Sequence, residues 1–303
     1  APIPKMRNLA RSLVVNSDNS LSDPWVDKGD LSFWSSRSSY SLAIIAICRQ
    51  KAAQNSSVKV WVPEFFCESA LKPMRSIGVE IVFYPINTLS GPDFESCSVL
   101  AKKHAVDIFI HVHFMGQFLS PKLSSEFSIK HGAWLVEDAA HVLSPVMHIG
   151  QFGDYVIYSP HKHLPIPDGA LLILRKDGPS NLGKANYLEL ILNKAHDEYT
   201  CSRNEGSHSN LIWILKRIIQ RFGLYHRRII PEFDSEESKD LILGRPRMSS
   251  LSQRLLYILI PEIVTIGTNR QRVAENWISH LAWSSLGLLK PLHQIESPPF
   301  LAG

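Results

Sequence analysis

Short apolar runs alternate with helical stretches from about residue 31 to residue 175. Strands that are apolar throughout and are separated by helices are typical of an α/β fold, in which helices cover both faces of a mostly parallel sheet. The pattern predicts strands at residues 58–62, 79–84, 107–113, 133–137, 155–158 and 170–174, and helices at residues 40–50, 64–77 and 120–130.

Two polar side chains follow predicted strands of this region. Asp138 comes after the strand of residues 133–137, and Lys162 lies in a short loop after the strand of residues 155–158. Active sites of such sheets gather at the carboxyl ends of the strands. An amine and a carboxylate are what pyridoxal phosphate needs, since the amine forms a Schiff base and the anion keeps the pyridine nitrogen protonated. Taken singly, the lysine fits an exposed basic turn equally well, and the aspartate fits a helix cap.

A run of serines with one arginine, residues 35–39, precedes the apolar helix of residues 40–50. Small hydroxyl residues at a helix start offer backbone amides and side-chain donors to an anion, and the helix dipole adds about 0.3–1 kcal/mol. The run is therefore a candidate phosphate site. The alternative is that these serines are simply N-caps.

Composition limits the classes of function. The chain has 303 residues, 45% hydrophobic and 20% charged, and its net charge of +4 argues against a dedicated nucleic-acid binder. No stretch approaches the roughly 20 apolar residues that span a membrane, and no signal peptide is recognisable, so we expect a cytoplasmic protein. The histidines show no HExxH spacing, and we expect no metal site. Reduced thiols rather than disulfides are indicated by four irregularly spaced cysteines, Cys48, Cys67, Cys97 and Cys201.

Several further motifs stand in one order along residues 31–285. They are residues 35–39, residues 62–67, residues 112–116, the run Glu137-Asp138-Ala139-Ala140-His141, residues 153–169, and Arg247-Met248-Ser249 with Arg270 downstream. In this order they resemble the DegT family of sugar aminotransferases, which are pyridoxal-phosphate enzymes of the aspartate-aminotransferase-like superfamily. The resemblance implies fold type I: a mostly parallel central sheet flanked by helices, with a small C-terminal α/β domain.

The same resemblance assigns three catalytic residues. Lys162 would be the Schiff-base lysine and would later shuttle the proton. Asp138 would pair with the pyridine nitrogen, and His141 would contact the phenolic oxygen or the ring face.

It also assigns residues that bind the cofactor. Arg37, Ser38 and Ser159 would hold the phosphate, and Cys67, with Phe66 adjacent, would lie against the ring. Arg245 stands where the family usually has an asparagine that reaches the phosphate of the partner subunit, so the resemblance implies a homodimer.

The predicted division of the chain is an N-terminal arm at residues 1–30, a large cofactor-binding domain at residues 31–245, and the start of a small C-terminal domain at residues 246–303. The sequence ends where that small domain would continue, so we expect the domain to be incomplete here. Residues 185–243 form a divergent helical insertion. Its apolar stretch with a basic side, residues 211–222, is predicted to pack on the large domain or a dimer partner, with peripheral membrane contact as the alternative.

The implied activity is transfer of an amino group from an amino acid, by analogy glutamate, to a keto group of a nucleotide-linked sugar, as in sugar or polysaccharide biosynthesis. One departure leaves an alternative open. Ser159 precedes Lys162 by three residues with His161 between them, a form that resembles the cysteine-desulfurase branch of the fold. A pyridoxal-phosphate lyase, such as a desulfurase or decarboxylase, would use Cys201 as a nucleophile in the desulfurase case. A non-catalytic binding protein with the same fold is the third hypothesis.

Overall fold

A seven-stranded sheet forms the centre of the protein. The computed structural model describes residues 2–16, 19–55, 57–87, 91–145, 148–180, 185–201, 208–221 and 246–280. The strands are β1 (Leu31–Ser35), β2 (Lys59–Pro63), β3 (Glu80–Tyr84), β4 (Ile108–Val112), β5 (Trp134–Ala139), β6 (Tyr155–Tyr158) and β7 (Ala170–Leu174).

The strand order is β1-β7-β6-β5-β4-β2-β3. Strands β2 to β6 are mutually parallel, and β7 is antiparallel to both β6 and β1. The carboxyl ends of β1 and of β2 to β6 therefore meet at one edge of the sheet. After β3 the chain crosses back to the other side of β2, so β2 and β4 flank a topological switch point, where open α/β sheets form a ligand crevice.

Helices surround this sheet. They are α1 (Met6–Ser12), α2 (Ser38–Ala53), α3 (Glu68–Ser76), α4 (Phe94–Leu100), α5 (Lys122–His131), α6 (Pro160–His163), α7 (Ala185–Cys201), α8 (His208–Arg221), α9 (Ser250–Leu259) and α10 (Ile263–His280). Short 3-10 turns lie at Asn19–Ser22, Phe114–Gly116 and Ile260–Glu262.

The sheet is buried on both faces. Ile157 of β6 packs in a cluster with α2 and α7, whereas the preceding residue, Val156, packs in another cluster with α9. Successive side chains of a strand point to opposite faces, so an apolar run such as β6 can satisfy both layers. A third cluster, around Trp61, Phe109 and Phe127, fills the end of the sheet near β3.

The predicted fold class is confirmed. The six predicted strands lie within two residues of the observed ones at each end, and residues 155–158 and 170–174 coincide with β6 and β7. The predicted helix of residues 64–77 begins only at Glu68, because residues 64–67 form a loop. Strand β1 was not predicted, since its sequence, Leu-Ser-Phe-Trp-Ser, is neither a continuous apolar run nor a regular alternation of apolar and polar residues.

The first 30 residues contain more structure than their polar pattern predicts. Helix α1 contacts α9, and the Trp25 indole is buried and donates a hydrogen bond to the Leu143 carbonyl at 2.9 Å. The described part of the predicted N-terminal arm therefore contains a helix and a 3-10 turn. The apolar side chains of α9 lie in the same cluster as Trp25 and pack on the sheet.

A buried carboxylate, Glu137 of β5, links the sheet to the loop that leads into β6. Its oxygens accept backbone hydrogen bonds from Gly150, Phe152 and Gly153 at 2.7–2.8 Å, and His113 Nε2 lies 2.9 Å away. Burial raises the pKa of Glu137, but these hydrogen bonds favour the charged form more strongly, and the pKa is lowered overall. The fully buried His113 is thus a core histidine.

Replacing Glu137 with Gln should lower the free energy of unfolding by about 3 kcal/mol, because one amide NH₂ would then face backbone donors. Urea unfolding at pH 7 measures this loss. The exposed Glu126→Gln variant is the control and should differ from the parent by less than about 0.5 kcal/mol.

The difference in free energy of unfolding between the parent and Glu137→Gln should depend on pH. A carboxylate whose pKa is depressed by folding contributes stability above its ordinary pKa of 4.5, and the contribution disappears as pH falls through the lowered value. The gap between the parent and Glu137→Gln should therefore narrow below about pH 4.5. A gap that widens in acid would contradict this account of the network.

Candidate active site

A cavity of about 530 Å³ opens at the carboxyl edge of the sheet. Its walls come from the segments at the ends of β1, β2, β4, β5 and β6. Of the nine residues predicted for the site, the cavity brings together Arg37, Ser38, Phe66, Cys67, Asp138, His141 and Lys162.

Lys162 lies on α6, the single turn that follows β6. Pro160 occupies the first helical position, where its missing N–H leaves no donor unsatisfied, and the Lys162 amide donates to the Ser159 carbonyl at 2.9 Å. The lysine is exposed and lines the cavity. Because the turn sits directly at the end of a buried strand, it holds the amine at the edge of the sheet.

The two histidines beside Lys162 have different surroundings. His161 lines the cavity, and its Nδ1–H donates to the Gly169 carbonyl at 2.8 Å. Burial lowers the pKa of His161 well below the usual range, and nearby Arg37 lowers it further, so the ring is neutral. His163 is buried and bonds the Ala140 carbonyl through Nε2 at 3.2 Å. One histidine therefore faces the lysine, while the other packs in the protein.

Asp138 belongs to β5, which continues one residue beyond it. It pairs with Val112 of β4 and Ile157 of β6, so its backbone is held on both sides. The side chain is 8% exposed, and its Oδ1 accepts the Ala140 amide at 2.9 Å. The sequence pattern had ended the strand before Asp138. Its place inside the strand makes the carboxylate a rigid part of the cavity wall.

His141 is oriented by a backbone donor. The Met115 amide lies 3.3 Å from His141 Nδ1, which must accept, so the neutral ring carries its proton on Nε2. Burial lowers the pKa of His141, and Lys162 lowers it further, against an opposing effect of Asp138. Met115 itself has φ = 53°, a left-handed conformation that is uncommon for residues other than glycine.

The N-terminus of α2 forms another wall. The N-cap residue is Arg37, and its side chain makes no capping hydrogen bond. Ser35 donates to the Arg37 carbonyl at 2.9 Å, so the N-cap position is held by the arginine and not by one of the serines. Ser38 lines the cavity at the first helical position, where free amides and the helix dipole favour an anion.

Arg37 is held in place by the loop before β7. Its guanidinium donates to the Pro167 carbonyl at 3.2 Å. Burial lowers the pKa of Arg37, although Asp168 opposes this shift. A cation fixed beside a helix start is a suitable partner for a phosphate group.

Among the described residues, Ser159 is the one predicted site residue that does not line the cavity. Ser159 is fully buried, and its hydroxyl has no hydrogen-bond partner among the described residues. Arg245 lies outside the described residues, as does the side chain of Cys201, on which the desulfurase alternative depends.

Two residues that were not predicted also line the cavity. Phe65 and Phe114 form a pair with ring centroids 6.0 Å apart, and Phe65 is 67% exposed. Phe66 is only half-buried and packs partly against the core, whereas Cys67 is exposed and its sulfur lies 3.1 Å from the Ser69 hydroxyl. Because the sequence pattern predicted one helix over residues 64–77, the loop of residues 64–67 was not predicted. The available signal was Pro63, followed after one residue by two adjacent phenylalanines.

Other predicted features lie away from the cavity. In α8, Trp213 packs against the core, while Leu211, Ile212 and Leu215 are exposed. No helix in the described ranges is both long and apolar enough to cross a membrane. Within the same ranges, no three His, Cys, Asp or Glu side chains form a group that could hold a metal ion.

Comparison with known proteins places the fold. No protein-family model and no curated protein matches the sequence. Solved structures do match. DesI in the presence of its TDP-sugar product has a TM-score of 0.57 at 16% identity, covering 93% of this chain and 64% of its own. A DegT DnrJ EryC1 StrS aminotransferase from Brucella abortus has a TM-score of 0.58 at 14% identity, covering 98% and 69%.

NtdA from Bacillus subtilis, with bound cofactor PMP, has a TM-score of 0.61 at 13% identity, covering 97% of this chain and 62% of its own. The chain thus spans about two-thirds of the length of these proteins. Many of its structural neighbours are DegT/DnrJ/EryC1/StrS sugar aminotransferases. The predicted resemblance is confirmed at the level of fold: the chain has the architecture of the pyridoxal-phosphate-dependent aminotransferases.

Proposed function

We propose that this protein is a pyridoxal-phosphate-dependent aminotransferase that moves an amino group from an amino acid, by analogy glutamate, to the keto group of a nucleotide-linked sugar. The observation that carries the proposal is the shared cavity. Lys162, Asp138 and the start of α2 all line this cavity of about 530 Å³. The structural neighbours that act on sugars support the choice of substrate class.

The residues present fit this cofactor. Its phosphate requires an anion site, its ring nitrogen an anionic partner, and its aldehyde an amine, and the cavity offers one group for each. When bound, pyridoxal phosphate supplies an electrophilic carbon and an electron-withdrawing ring. Arg37 and Ser38 would hold the phosphate, and Ser159, whose buried hydroxyl lacks a described partner, would support that end.

Lys162 would bind the cofactor and then move a proton through Nζ. The neutral ring of His161 lies beside it in the cavity wall and adds no charge there. Asp138, held inside β5, would keep the proton on the ring nitrogen through a charge-assisted hydrogen bond. His141 would donate its Nε2–H to the phenolic oxygen or contact the ring face, and Cys67 or Phe66 would lie against the ring.

The surroundings of the site are part of the proposal. We place the protein in the cytoplasm as a homodimer, with Arg245 reaching the phosphate in the second subunit. The proposed division remains an arm at residues 1–30, a cofactor domain at residues 31–245 with an insertion at residues 185–243, and a small C-terminal domain that includes residues 246–303.

Purified protein with added pyridoxal phosphate should show the visible absorption band of a lysine-bound cofactor, and Lys162→Ala should abolish that band. Lys102→Ala, at an exposed lysine outside the cavity wall, should keep it. Glutamate should bleach the band of the parent protein. A parent protein that stays colourless would refute the proposal, and sulfide release from cysteine would support the desulfurase alternative instead.

Asp138→Asn should keep the visible band but slow turnover by at least about 100-fold, because the ring nitrogen loses its anionic partner. Stopped-flow measurement of band decay after glutamate addition follows the step directly. Asp177→Asn, at an exposed site, serves as the charge-matched control. Unchanged decay in Asp138→Asn would show that another group holds the ring nitrogen.

A further inference from the structure

Helix α8 packs on the protein through its more polar side. Trp213 and Arg217 are one turn apart, and the central carbon of the Arg217 guanidinium lies 5.6 Å from the centre of the Trp213 ring. Trp213 packs against the core cluster that contains α9. Arg217 also donates to the Gln220 side chain at 2.6 Å. Trp213 and Arg217 therefore mark the side of α8 that faces the protein.

The apolar side of α8 faces away from the protein. Leu211 and Leu215 are one turn apart, and the helical period of 3.6 residues puts them nearly opposite Trp213 and Arg217. Leu211 is 70% exposed, Leu215 is 57% exposed, and the neighbouring Ile212 is 54% exposed. In a helix that packs only on its own domain, such an apolar stripe is the buried side. The orientation of α8 thus presents a contiguous apolar face to another surface.

Positive charge accompanies this face. Lys216 is exposed one turn after Ile212, and the exposed Arg221 ends the helix. Residues 206–231 include no aspartate or glutamate but five lysines and arginines, namely Lys216, Arg217, Arg221, Arg227 and Arg228. An apolar stripe accompanied by cations and by no anions is typical of helices that lie in the interface of an anionic membrane.

A second copy of the chain matches this face less well than a lipid surface does. Two α8 helices that paired about a two-fold axis would bring the cations of one copy close to those of the other, and α8 has no carboxylate to compensate them. The headgroups of anionic phospholipids do compensate such charges. Each lysine or arginine near a surface of these lipids strengthens binding about fivefold.

We propose that α8 binds peripherally to the surface of a membrane that contains anionic phospholipids. The helix would lie along this surface, with Leu211, Ile212 and Leu215 in contact with the acyl chains and with Lys216 at the headgroups. These four residues are not part of the described cavity wall, so membrane binding is separate from the proposed reaction and can be tested independently.

Co-sedimentation of the protein with lipid vesicles measures this binding. The parent should bind vesicles of phosphatidylglycerol mixed with phosphatidylcholine. It should bind vesicles of phosphatidylcholine alone at least about tenfold more weakly, because its cations then lack anionic partners. Raised salt should weaken binding to the anionic vesicles, since it screens the same charges.

Variants of α8 test which side chains touch the lipid. Leu215→Gln should weaken binding to the anionic vesicles at least about tenfold, because an apolar contact with the acyl chains is lost. Lys216→Gln should weaken it about fivefold. Leu123→Gln and Lys130→Gln, both at exposed positions of α5, are the matched controls and should bind as the parent does. Leu123 is as exposed as Leu215, at 57%.

Three results would contradict the proposal. The parent would fail to bind the anionic vesicles, would bind neutral vesicles equally well, or would keep its full affinity after Leu215→Gln. Light scattering of the same samples without lipid tests the alternative occupant. A Leu215→Gln variant that loses a subunit contact and retains vesicle binding would identify this face as an interface between copies and would also overturn the proposal. Circular dichroism shows that each variant is folded.

Discussion

Glu137 accepts hydrogen bonds from three backbone amides of the loop before β6 and is paired with His113 in the core. These contacts fix how the chain returns from β5 to β6, and the cavity depends on that return. The next residue, Asp138, points to the opposite face of the sheet and enters the cavity wall. Asp138 pairs with Ile157, one residue before the end of β6, so the turn that carries Lys162 begins close to Asp138.

Charge in the cavity is controlled by burial more than by ion pairing. His161 is neutral because burial and nearby Arg37 both disfavour its protonated form, and burial also lowers the pKa of His141. The neutral imidazole rings of His141 and His161 therefore lie in the cavity wall with Lys162 and add no positive charge. The cations that remain come from three separate segments: Arg37 is the N-cap residue of α2, Lys72 lies on α3 and Lys162 lies on α6.

The sequence predicted most of the sheet because its strands are apolar on both faces and stand between clear helices. It also predicted Asp138 and Lys162, since both lie where buried strands end. The loop of residues 64–67 was not predicted, because its phenylalanines match the apolar face of a helix. Residue type alone does not show that Phe66 is half-buried while Phe65 is exposed. Strand β1 was not predicted for a related reason. It lies at the edge of the sheet and is only partly buried, so its sequence contains serines and lacks a continuous apolar run. The resemblance also assigned a role to Arg245, but this residue lies outside the described residues.

The central claim is that Lys162 is the residue that binds the cofactor covalently. Borohydride reduction of the protein after incubation with pyridoxal phosphate, followed by peptide mass spectrometry, tests this directly. The account predicts one modified peptide, carrying the reduced cofactor on Lys162, and its loss when glutamate is added before reduction. A modification confined to Lys72, or no modification at all, would contradict it.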